Sequence, residues 1–104
     1  MERIAFKMFL HKGYEAEYKK RHEKAWPEIK DLFKNSGVAN YSIFLDEETG
    51  VLFGVLDCYD EVKYQNIPLQ HKIQKWWDYM KDLMQTNEDN SPISISLHEV
   101  FHLK

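Results

Sequence analysis

Cysteine is almost absent. Cys58 stands alone in 104 residues, so no internal disulfide can form and a small secreted fold stapled by bridges is excluded. With no CxxC partner, and at the end of an apolar run, its thiol reads as packing rather than chemistry. A reducing cytoplasm is the expected setting. Long apolar runs are missing too: no stretch approaches the roughly 20 residues of a membrane span. The N-terminal MERIAFKMFLHKGYE carries Lys7 inside its short apolar run and lacks a small-residue cleavage site, so it does not read as a signal peptide. Nor is there an excess of positive charge. Net charge is -3 with lysines and glutamates interleaved, which leaves no basic stripe for phosphates or anionic lipid headgroups. Neither nucleic acid nor a membrane is an expected partner. Only four glycines occur, and none belongs to a phosphate-cradling loop, a dinucleotide fingerprint or a Gly-x-Ser-x-Gly elbow. Kinase, redox and hydrolase readings lose their support.

The residues that are present describe one packed domain over 1–104. Hydrophobic residues make up 43% and aromatics 14%, ample for a single core at a length too short for two. RIAFKMFL places Ile4, Phe6, Met8 and Leu10 on one side of an extended chain, the alternation of a half-buried strand. After Gly13 the period changes: Tyr14, Tyr18, His22, Ala25, Ile29 and Leu32 or Phe33 recur at helical spacing. Pro27 must kink or restart that helix, and Asn35-Ser36-Gly37 ends it. VANYSIFLD and VLFGVLDCY, separated by Glu47, Glu48, Thr49 and Gly50, form a hairpin signal. From Asp60 to Met84 the pattern is helical again, broken by Pro68, with Leu69, Ile73, Trp76, Met80 and Leu83 as its apolar stripe. The tail ISISLHEVFHLK alternates and is expected to close the sheet as a fourth strand entered through Ser91-Pro92.

The order βαββαβ predicts an α+β, ferredoxin-like sandwich: a four-stranded antiparallel sheet with both helical stretches on one face. Apolar side chains on the other face then need cover, and a second subunit is the simplest cover.

Two constellations can carry chemistry. His22 follows Tyr18 by one helical turn on the inward face, and a histidine both gives and takes protons at neutral pH. A core histidine satisfied by a neighbouring carbonyl fits the same spacing and is the commoner case. Trp76 and Trp77 diverge by about 100° on their helix, so one can enter the core while the other borders a cleft. Flat indoles suit the C–H face of a sugar, although for the pair taken by itself plain core anchoring is the commoner case. Tyr41 shares a strand face with Ile43 and Leu45 and serves either as a structural tyrosine or as a ligand contact. His98 and His102 would stand roughly 13 Å apart on a strand, too far to share one ion. His11 and His71 read as surface residues. The RNA-binding motif that this strand order can carry is absent from VLFGVLDCY.

EYKKRHEKAWPEI, NYSIFLD, QKWWDYMKDLM and NSPIS with LHEVFHL together resemble the L-rhamnose mutarotases, over almost the whole chain. The resemblance implies a homodimer of the dimeric α/β-barrel type that interconverts the α and β anomers of L-rhamnose without cofactor or metal. Carried over residue by residue, it puts the proton donor at His22 and sugar contacts at Tyr18, Tyr41, Trp76 and Trp77. In that scheme His22 donates to the ring oxygen, Tyr18 or a water relays the second proton, Tyr41 fixes a hydroxyl, and the indoles cover the apolar ring face and the C6 methyl. Two other readings share the architecture: a haem- or quinol-type monooxygenase and a non-catalytic sugar-binding module.

Overall fold

Alternation of side chains across a pleated chain builds the first strand, β1 (Glu2–Phe9). The computed structural model describes residues 1–104. Beyond β1 the chain turns helical, and proline sets the next boundary. Trp26 is extended at φ −60°, ψ 136°, as the residue before a proline prefers. Pro27 then opens a new helix, where its missing N–H costs nothing. The predicted helical stretch is therefore two helices, α1 (Glu15–Glu23) and α2 (Pro27–Asn35). Tyr14 falls out of the expected inward stripe: it caps α1 and is 43% exposed.

The hairpin forms as expected from β2 (Val38–Leu45) and β3 (Val51–Cys58). Its loop closes through Gly50, which adopts φ +76°, a conformation that costs glycine nothing. The second helical region is broken by proline into α3 (Glu61–Gln65), a 3₁₀ turn at Ile67–Leu69, and α4 (His71–Met80). Leu69 does not join the α4 stripe. The 3₁₀ turn buries Ile67 instead and leaves Leu69 82% exposed, because three residues per turn put the two side chains on different sides.

The sheet runs β2-β3-β1-β4, all antiparallel, with the helices on one face. The core between the layers is centred on Leu52, Leu56, Ile73 and Leu83, each essentially sealed from solvent. Cys58 lies in that core as a buried free thiol.

The fourth strand corrects the expectation drawn from the tail. Only β4 (Ile95–Ser96) pairs with β1, opposite Lys7 and Phe6, and Leu97 N–H donates to the Ala5 carbonyl. Past this point the alternating pattern continues but the strand does not. Val100, Phe101 and Leu103 are 92%, 75% and 79% exposed. Alternation supplies a face, yet a strand also needs a surface on which to bury that face, and this chain provides none there. The same shortage marks the helix-free side of the sheet, where Phe44 is 63% exposed.

Candidate active site

Helix α1 brings Tyr18 and His22 over the sheet, α4 brings Trp76 and Trp77, and β2 brings Tyr41. All five line a single open cavity of about 820 Å³, floored by Met8 and Leu52. The residues picked out from the sequence are thus brought together, from three elements far apart in the chain. Lining is predominantly apolar, with a few polar groups, the usual character of a small-molecule site. His11, His71, His98 and His102 lie outside it.

His22 is half-buried, its ring 4.3 Å from that of Tyr18 and edge-on to Trp76 at 5.7 Å. Its Nδ1 lies 3.1 Å from the Tyr18 carbonyl oxygen. A carbonyl can only accept, so Nδ1–H donates and the neutral ring keeps its lone pair on Nε2. Burial lowers the His22 pKa below its usual 6.5, partly offset by that carbonyl, which favours the charged ring. A neutral imidazole with one nitrogen anchored and the other free is the resting state.

Burial pushes both the Tyr18 and Tyr41 phenols well above the ordinary tyrosine range, so each is protonated at any physiological pH. No protein group hydrogen-bonds either hydroxyl, and no polar side-chain atom that is sealed from solvent lacks a partner. The two hydroxyls are therefore open to solvent or ligand. Tyr41 is gripped between Phe33 (5.5 Å, edge-on) and Phe6 (6.2 Å, edge-on).

The two tryptophans divide as adjacent helical residues do. Trp76 is 7% exposed and Trp77 only partly buried, yet both reach the cavity. Trp26 packs against Trp76 at 5.1 Å and Tyr79 at 5.2 Å, so an aromatic cluster backs the Trp76 wall.

Two supports of the site were not picked out from the sequence. Arg21 grips the end of α4: its guanidinium donates to the Tyr79 carbonyl (2.7 Å) and to both Asp82 oxygens (2.9 and 3.2 Å). It also bonds Glu17 and lies 4.5 Å over the Tyr79 ring. This planar fork, next to His22 in the chain, ties the helix of the histidine to the helix of the tryptophans. The second support is Asn40, in left-handed backbone at φ +52°. Arginine beside the histidine could have been noticed, since a surface fork so close to an inward residue needs partners. The asparagine carried no periodic signal.

Known proteins share this chain's sequence pattern and backbone. A family profile described as L-rhamnose mutarotase matches residues 3–103. An L-rhamnose mutarotase of Bacteroides thetaiotaomicron is 52% identical over 103 residues, covering 99% of each chain. One of Listeria monocytogenes is 48% identical over 103 residues, again 99% of each. The crystal structure of the L-rhamnose mutarotase of Formosa agariphila superposes with a TM-score of 0.93 at 48% identity, covering 100% of both chains. Identity near one half along the full length, with the same backbone, leaves one assignment: the chain belongs to the L-rhamnose mutarotase family.

Proposed function

We propose that this chain is an L-rhamnose mutarotase, interconverting the α and β anomers of L-rhamnose with His22 as the proton-transferring residue. The observation that carries this reading is the His22 imidazole, one nitrogen fixed on the Tyr18 carbonyl and the other free, in an aromatic-walled cavity with two unengaged phenols. Opening the pyranose breaks the C1–O5 bond and makes the C1=O1 carbonyl. One proton leaves O1 and one arrives at O5, so protons, atoms and electrons balance within the sugar itself. The Nε2 lone pair of His22 takes the proton from O1, directly or through Tyr18 or a water, and the imidazolium so formed donates one from Nε2 to O5. Rotation about C1–C2 presents the other carbonyl face, and the steps reverse. Tyr41 holds a sugar hydroxyl, and Trp76 and Trp77 cover the C–H face and the C6 methyl. A positioned acid–base group contributes about 10²–10⁴ in rate, useful for a reaction that water already performs slowly.

Anomer exchange of rhamnose, fucose and galactose, followed by saturation-difference NMR with and without protein, tests the proposal. Accelerated exchange of rhamnose is the expected result. Binding without acceleration would turn the reading into a non-catalytic sugar module. The monooxygenase reading draws no support from the family match or the relatives.

The pH dependence follows from the His22 environment. The resting step needs the lone pair on Nε2 and burial lowers the His22 pKa, so acceleration is expected to stay level down to the ordinary histidine value of about 6.5 and to fall only on further acidification. A depressed folded-state pKa also means that the unfolded chain binds this proton more readily. Stability is therefore lost as pH falls from 6.5 through the lower folded value, and regained as pH rises. Exchange rates and thermal melts across pH 5–8 check both signs. A rate that climbs on acidification would make the imidazolium the resting catalytic form.

The working unit is proposed to be a cytoplasmic homodimer of the α/β-barrel type. Uncovered apolar side chains support it: Phe44 on the helix-free face, and Phe101 and Leu103 in the tail. Light scattering is expected to give twice the chain mass, and a monomer at micromolar concentration would defeat this part of the proposal.

A further inference from the structure

Tyr41 reaches the cavity only because β2 contains one residue too many. Val38 pairs with Cys58 and Ala39 with Asp57; pairing then resumes with Ser42 opposite Val55 and Ile43 opposite Gly54. Asn40 and Tyr41 together occupy the place opposite Leu56 alone. Val38 points into the core, so strict alternation would send Asn40 inward and Tyr41, Ile43 and Leu45 outward. The extra residue reverses the parity, and Tyr41, Ile43 and Leu45 all line the cavity. In one form of such a bulge the first of the two residues that face a single partner takes positive φ. Asn40 supplies it at +52°, a region that asparagine tolerates better than most residues and that β-branched residues avoid.

The side chain of Asn40 is held as well. Its Nδ2 donates to Asp57 Oδ2 at 2.9 Å, and the other oxygen of Asp57, Oδ1, faces Arg3 Nε at 3.6 Å. Asp57 is only 8% exposed, so its carboxylate is a fixed anchor rather than a mobile surface group. On the cavity side, Phe6 seats Tyr41 in turn. Its ring occupies the space above Gly54, where an added Cβ would come within 2.6 Å of it.

We propose that Asn40 and Asp57 are positioning residues for Tyr41: the bulge they stabilise turns the phenol to the sugar side of the sheet. The placement stands on the backbone; its effect on the sugar rests on the functional reading above. The experiment separates the two. In the wild-type protein the Tyr41 and Phe33 rings, 5.5 Å apart, give a ring–ring NOE. Asn40→Val is expected to abolish it, and Asn40→Gly, which adopts the same φ freely, to keep it. On rhamnose, Asn40→Val is expected to raise KM about tenfold, the size of one lost hydrogen bond, with kcat within about twofold. Tyr41→Phe should do the same, and the double variant should be no worse than Tyr41→Phe alone. An unchanged NOE in Asn40→Val, or single-variant effects that multiply in the double variant, would overturn the proposal. If Asn40→Val does not fold, Asp57→Ala takes its place, with a weakened NOE and a KM rise of about threefold expected, and no change in either counting against it. Should Tyr41→Phe leave KM untouched while the NOE behaves as described, the sugar contact is wrong and the positioning of the ring stands.

Discussion

Replacing His22 with alanine is expected to slow enzyme-driven anomer exchange by about 10²–10⁴, the full share of a positioned acid–base group. Neither phenol beside it can take over. The Tyr18 and Tyr41 phenols hold their protons far too tightly to act as bases at neutral pH. The fold should survive the change, because the His22 ring is half-buried and its one hydrogen bond goes to the Tyr18 carbonyl within its own helix. A melting temperature within a few degrees of wild type, together with retained sugar binding, would show that chemistry alone was removed. If the alanine variant still accelerates exchange, His22 is a packing residue.

The tryptophans should separate when each is cut to alanine. Trp76 is 7% exposed and contacts His22, Trp26 and Tyr79, so its loss leaves a cavity and costs about 3–5 kcal/mol. For a domain of this size that is a large part of total stability, a drop in Tm of roughly 15–30 °C. Trp77 is only partly buried and should cost far less stability, while sugar affinity falls in both variants through loss of the stacking wall. Thermal unfolding by circular dichroism and rhamnose titration by NMR read the two effects separately. Undiminished affinity in both would end the stacking role, and equal losses of stability would contradict the division of labour on α4.

Periodicity was enough to place most of the fold. The strands, the hairpin and the two helical regions each carry a pattern that local sterics enforce, and Pro27 and Pro68 mark the breaks by what their rings forbid. Failures came where the deciding partner was not in the pattern. The tail alternates well beyond Ser96, yet Val100, Phe101 and Leu103 stay exposed, because the surface that would bury them is not supplied by the rest of this chain. Leu69 fitted the α4 stripe until the 3₁₀ turn chose Ile67. At the site, His22, Tyr18 and the tryptophans stood out because their spacing put them inward with chemistry to spare. The inward aim of Tyr41 follows from the face it shares with Ile43 and Leu45, but the cause of that aim does not show in the pattern. Nothing about Asn40 announces an inserted position until the pairing of β2 with β3 is seen. Arg21 was hidden for a related reason: its partners Tyr79 and Asp82 lie 58 and 61 residues away.

Because β2 forms the rim of the sheet, the bulge at Asn40 has an outcome remote from any sugar. An open rim presents a row of unpaired amides and carbonyls, a template on which another copy could lengthen the sheet. The extra residue interrupts that row part-way along and twists it. Strand-to-strand zippering between molecules thus meets a mismatch part-way along β2, one of the devices by which an exposed edge is kept from templating fibre growth.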